Sequence, residues 1–249
     1  MSNIKWDHTV HYVNDLNEPE KQFNDAGIKA FFGGSHTQWG TNNSLSYFGL
    51  TYIEFLAIED REKASTIEEP NQVIKDAVSQ LPDHEGLSRV ALRTDNIEAL
   101  RERLAAHNIE VSPVMPGKRY NAKGQLIEWK MMTISGDFEG LPYPFILEWK
   151  GTDEEREQQL KENGVISEHP VGRLELKEAV FQVRDPENTV KHWQEIFGFE
   201  HVSEQAIQLE DKQFTFKKSE NVGLHELVFL ADVNQSIEFS GGEYRLVNK

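Results

Sequence analysis

The 249-residue chain carries 26 Lys and Arg against 42 Asp and Glu, a formal charge of -16, and has no cysteine. That balance excludes disulfides, thiolate metal sites and a cysteine nucleophile, and its field repels nucleic acid and anionic membrane surfaces. The start lacks a secretory signal and no stretch approaches the roughly 20 apolar residues of a membrane span, so a cytoplasmic protein without membrane contact is expected. Five Trp and fourteen Phe supply enough apolar bulk for one large or two ordinary globular cores.

The first predicted strand is Asp7-His8-Thr9-Val10-His11-Tyr12-Val13-Asn14-Asp15. Thr9, His11 and Val13 alternate with His8, Val10 and Tyr12, so His8 falls where a core side chain belongs. A histidine there reads either as a hydrogen-bonded core residue or as a pocket residue. Asp15 or Asn17 then caps a helix with Pro19 in its first turn, and Gly27 stops it. Strands follow at 28–32, 44–48 and 51–58, with a glycine-rich loop over 33–43. Residues 60–82 suggest a connecting helix with Val73, Ile74, Ala77 and Val78 on its apolar side.

The pattern restarts at Leu87-Ser88-Arg89-Val90-Ala91-Leu92-Arg93-Thr94-Asp95, with a helix over 97–107 and strands at 110–114, 126–134 and 145–150. Residues 151–170 read as a charged, solvated linker. A third restart is Lys177-Glu178-Ala179-Val180-Phe181-Gln182-Val183-Arg184-Asp185, and Pro186 opens its helix. The fourth, ending at Asp232, leaves only seventeen residues and is cut down. Aligned on their aspartates, the restarts place His8, Ser88, Glu178 and His225 at one offset.

Several stretches, in order, resemble one superfamily: Asp7 to Val13, His36-Thr37-Gln38-Trp39-Gly40-Thr41-Asn42-Asn43, Tyr52-Ile53-Glu54-Phe55-Leu56, and Leu141-Pro142-Tyr143-Pro144-Phe145-Ile146-Leu147-Glu148-Trp149. They are similar to the vicinal oxygen chelate superfamily and, over residues 5–150, to its glyoxalase-like domain proteins. The resemblance implies an α+β fold of tandem βαβββ modules paired into cup-shaped mixed sheets. It divides the chain into residues 1–150 as two modules, 151–170 as linker, and 171–249 as a degenerate pair. Modules pair either within the chain or across a homodimer.

What the resemblance implies for function is a small oxygenated ligand in a polar cup. In metal-dependent members the ligands would be His8, Glu54 and Glu148, holding Zn, Mn, Fe or Ni for lyase, isomerase or dioxygenase chemistry, with Glu54 or Glu148 as base. Ser88 stands where a further ligand belongs and is a poor one, which favours the alternative of a metal-free binding or sequestering protein. His36, Trp39, Thr41 and Asn42 of the His-x-x-x-Gly-Thr-x-Asn signature would contact the ligand. Arg119 would meet an anionic end, and Trp129 would wall the pocket. His84, His107, His169, His192 and His201 are expected at the surface, while His225 with Glu178 offers a second, degenerate cup.

Overall fold

The computed structural model describes residues 4–120 and 124–248, with the His201 side chain outside the described set. The first module runs β1 (Lys5–Tyr12), α1 (Asn17–Asp25), β2 (Phe31–His36), β3 (Thr41–Phe48) and β4 (Thr51–Ile58). Two short helices follow, α2 (Arg61–Ser65) and α3 (Gln72–Gln80). The second module comprises β5 (Gly86–Arg93), α4 (Ile97–Ala106), β6 (Met115–Tyr120), β7 (Leu126–Met132), the two-residue strands β8 (Asp137–Phe138) and β9 (Leu141–Pro142), and β10 (Phe145–Trp149). Helix α5 (Asp153–Glu162) leads to β11 (Leu174–Val183), α6 (Pro186–Phe197), β12 (Glu200–Ser203), β13 (Ala206–Leu209) and β14 (Lys212–Lys218). The chain ends with β15 (Gly223–Ala231), β16 (Gln235–Phe239) and β17 (Gly242–Asn248).

Local chemistry explains most boundaries. The aspartates that close the first and third restarts prepare the helices that follow. Asp185 caps α6 through Asn188 N, with Pro186 in the first turn, and Gly198 ends it at φ 79°. Asp15 accepts from Asn17 N just ahead of α1, and Asn96, the residue after Asp95, caps α4. Thr152 and Glu155 form a capping box at α5.

The two modules pair within the chain. Strand β1 lies parallel to β4 and antiparallel to β5, which is parallel to β10, giving the order β2-β3-β4-β1-β5-β10-β7-β6. The second sheet repeats this around β11 and β15, in the order β12-β13-β14-β11-β15-β17-β16. The fourth copy is truncated as its length requires: β16 and β17 follow β15 with no helix between.

Two segments differ from expectation. Residues 33–43 form a hairpin: Gly33 to His36 belong to β2 and Thr41 to Asn43 to β3. Gly34, at φ 140°, lies so close to the Tyr120 carbonyl that a Cβ would collide with it, so this glycine serves strand approach. The strand expected over 110–114 is reduced to a bridge between Val111 and Ile134, and pairing moves to β6, where Pro116 lies on the sheet edge and needs no donor.

One continuous core runs from the convex side of the first sheet, through Phe23, Ile53, Phe55 and Leu92, into Phe181, Trp193, Phe214 and Phe229 of the second half. Arg103 of α4 donates to the Ile196 and Glu195 carbonyls at the end of α6. On this side of β1 lies His11, fully buried, whose Nε2 donates to Ser240 O at 2.7 Å while the Tyr244 hydroxyl donates to Nδ1. Among the described residues, no helix is long and apolar enough to cross a membrane.

Burial pushes the His11 imidazole down to about 4, opposed by the bond to Ser240. The unfolded chain therefore binds a proton on His11 below about pH 6.5 that the fold refuses. Its contribution is fully present above pH 6.5 and is lost as the pH falls toward 4, by about 3 kcal/mol. Urea denaturation at intervals from pH 7 to 4 should show His11→Gln losing less stability across this window than the wild type.

Candidate functional site

Strand parity decides which side chains meet inside the first cup. On β1, His8, Val10 and Tyr12 point inward, and Val10 pairs with Glu54 on β4. Strand β3 contributes Asn43, β2 ends in His36, β6 supplies Arg119, and β7 supplies Trp129 and Met131. Phe145, Leu147 and Trp149 enter from β10, while Asn71, Val73 and Ile74 close one end from α3 and its cap. These groups line about 490 Å³ of empty space that includes open solvent.

Asp7 forms the back of the polar end. It is fully buried, accepts from His8 Nδ1 and Trp149 Nε1 at 2.8 Å each, and lies 3.6 Å from Arg156 and 3.8 Å from Arg93. Burial alone would push its carboxyl up, but Arg156, His8 and Arg93 hold it at about 2. The ionised Asp7 keeps the proton on His8 Nδ1 and turns Nε2 toward the cavity. There His8 Nε2 lies 3.4 Å from Glu54 Oε2 and makes no hydrogen bond.

Glu54 is held by three neighbours. Asn43 Nδ2 donates to its Oε1 at 2.5 Å, and His36 Nε2 lies 3.8 Å from the same oxygen. Burial opposes ionisation, yet His8, His36 and Asn43 bring Glu54 to about 2, while Asp7 and Glu54 raise His8 against its own burial. Burial lowers His36 to about 4, with Arg119 and His8 acting in the same direction and Glu54 against it. His36 is therefore neutral at pH 7, its Nδ1 3.2 Å from Thr41 Oγ1.

The walls are aromatic. Tyr52 stacks on His8 at 4.5 Å, and Phe145 meets it edge-on at 5.3 Å. Trp39, Trp129 and Trp149 follow one another with centroids 6.3 and 5.6 Å apart. Trp129 lies across Gly117, where any Cβ would collide with the indole, and Arg156 covers Trp149 at 4.2 Å.

The structure brings together His8, His36, Trp39, Glu54, Arg119 and Trp129, with Thr41 behind His36. It separates Glu148 and Asn42 from them. Glu148 lies on the opposite face of β10, where it accepts from Lys130 Nζ at 2.6 Å and Ile97 N at 2.8 Å. Asn42 faces a shallow groove on the outer side, with Asp15, Glu20 and Phe32, and Asn43, the last letter of the signature, takes the inward place. Residue type suggested these positions, and strand parity reverses them.

The metal expected from the resemblance does not fit these residues. With Glu148 turned away, the implied set keeps only His8 and Glu54. The second module offers no replacement: Ala91 stands opposite His8, Phe145 pairs with Ala91, and Ser88 lies beside the Tyr12 hydroxyl, which donates to Val73 O. Among the described residues no three His, Asp or Glu side chains are arranged to hold a metal ion.

Several site residues escaped sequence reading. Asp7 was visible beside His8 but carried no role, and Arg156 lay in a run of charge that reads as solvated. The second cup does not assemble as expected. Glu178 shares a face with Val180, Glu226 and Val228, while His225 points to the other face and stays exposed, 3.6 Å from Glu243. His169 and His192 are half-buried, stacked on Phe48 and Phe138.

A family model described as a glyoxalase-like domain matches residues 6–197. The fold is similar to that of a hypothetical protein from Staphylococcus aureus, with a TM-score of 0.84 and 24% identity over 99% of this chain and 100% of that one. It is also similar to the Mn(II)-bound glyoxalase from Novosphingobium aromaticivorans, with a TM-score of 0.52 and 11% identity over 99% and 83%. A 4-hydroxymandelate synthase mutant from Streptomyces coelicolor aligns with a TM-score of 0.55 and 12% identity over 94% and 72%. No curated protein sequence matches the chain.

Because Asp7 is the shared counter-charge of Arg93, Arg156 and His8, Asp7→Asn should destabilise the protein by about 3–5 kcal/mol, the usual loss when one member of a buried ion pair is removed. Urea denaturation at pH 7 measures this, and a loss below about 1 kcal/mol would contradict the electrostatic account.

Proposed function

The chain belongs to the glyoxalase-like domain family, and from that premise we propose that its first cup binds a small oxygenated molecule through protein groups alone, without a metal ion. The observation that carries this reading is His8 Nε2. Held by Asp7 at Nδ1, the ring places Nε2 3.4 Å from Glu54 Oε2 without hydrogen-bond geometry, facing a cavity walled by three indoles. A buried donor left unmade costs about 1–3 kcal/mol, so it is retained where an incoming acceptor completes it.

Binding is favoured over proton abstraction by the basicity of the groups present. An efficient general base has a pKa near the working pH. Glu54 at about 2 and His36 at about 4 are weak bases at neutral pH, and His8, raised by Asp7 and Glu54, favours holding its proton over taking one. Sequestration of the ligand is therefore the reading, with His8 anchoring an oxygen and the tryptophans covering the ligand's body.

Intrinsic tryptophan fluorescence, titrated with a panel of small hydroxy and oxo compounds, provides the test. Binding should be insensitive to EDTA, and elemental analysis should find no stoichiometric divalent metal. His8→Ala should weaken binding about 10-fold or more, the loss of a charge-assisted hydrogen bond. One equivalent of Mn, Zn, Fe or Ni that disappears in His8→Ala would overturn the metal-free reading.

A further inference from the structure

We propose that the ligand of this cup is a monoanion, an aromatic carboxylate whose charge is taken by Arg119; this rests on the cup being the binding site. Four arginines are buried in the molecule: Arg89, Arg93, Arg119 and Arg156. Three have carboxylate partners. Arg89 pairs with Asp76, Arg93 pairs with Asp153 and approaches Asp7, and Arg156 lies 3.6 Å from Asp7. Arg119 has none among the described residues, and no residue outside that set carries an Asp or Glu side chain. Among the described residues, its Nη1 donates to Gly33 O at 2.6 Å.

An unbalanced cation is unexpected in a chain with 42 acidic and 26 basic residues. Acidic side chains are abundant enough to supply a partner, yet the position facing Arg119 is cavity. The other charges around the cup have partners of opposite sign: Asp7 and Asp153 lie beside Arg93, Arg156 approaches Asp7, Lys5 pairs with Asp153, and Glu54 faces His8. Arg119 is the one cation of this set with no carboxylate beside it among the described residues. A buried guanidinium is costly without a counter-ion, and its planar fork matches a carboxylate.

The body of the ligand follows from the walls. Trp39, Trp129 and Trp149 offer successive indole surfaces, and apolar Leu56, Val73 and Ile74 fill the far end. A flat ring fits those surfaces, while the carboxylate reaches Arg119. A phosphate monoester shares the anionic chemistry, but its second charge exceeds the single one left over.

The experiment compares phenylacetate, phenylacetamide and phenyl phosphate by tryptophan fluorescence and calorimetry on the full chain, in wild type and in Arg119→Gln, which retains an amide donor for Gly33 O. Phenylacetate should bind at least 10-fold more tightly than phenylacetamide, phenyl phosphate should be no better than phenylacetate, and Arg119→Gln should abolish the preference. The melting temperature of Arg119→Gln without ligand should equal or exceed that of wild type, because an unpaired buried charge is removed. A fall of several degrees makes Arg119 a structural strut and overturns the inference. Equal binding of acid and amide overturns the charge assignment and leaves the cup intact, tighter phenyl phosphate binding replaces carboxylate by phosphate, and binding of none of the three at millimolar concentration overturns the cup reading with it.

Discussion

A single carboxylate organises the polar half of this molecule. Asp7 has no contact with solvent, and the groups that make this tolerable come from distant parts of the chain: His8 beside it, Arg93 on β5, Trp149 on β10 and Arg156 on α5. Each would be costly to bury without the acid, and the acid would be costly without them. The interaction therefore joins both modules of the first half to the helix that follows them. It also orients His8, since an ionised acceptor at Nδ1 leaves Nε2 as the group offered to the cavity.

The cup is unequal by construction. The first module supplies most of its polarity, through His8, His36, Asn43 and Glu54, whereas the second contributes chiefly wall, through Trp129, Met131, Phe145, Leu147 and Trp149. Arg119 is the second module's one charged group in the lining. A chelating site built symmetrically from both modules needs donors at both sets of strands, and here one set is apolar. The lining therefore has one polar end and one apolar, aromatic end, a pairing common in small-molecule sites.

Much of the architecture was legible in the sequence because it depends on local pattern. Alternation in β1 placed His8, Val10 and Tyr12 on one face, the aspartates ahead of the helices marked the module starts, and seventeen residues after Asp232 left no room for a full fourth copy. Glycine-rich residues 33–43 misled for a physical reason: Gly34 is demanded by the close passage of Tyr120 on β6, far away in sequence, and looks from sequence like a turn signal. Pro116 sits inside β6 because an edge strand tolerates the missing donor.

What the sequence by itself determined is the repeated unit and the strand faces within the first module. Tertiary structure decided the rest of the site. The register of β10 turned Glu148 outward and Trp149 inward, β3 chose Asn43 over Asn42, and the packing of α5 drove Arg156 beneath the cup. The reason is that side-chain alternation is local, whereas the face that becomes the inside of a cup, and the charges left unpaired there, are set only when distant strands close around it.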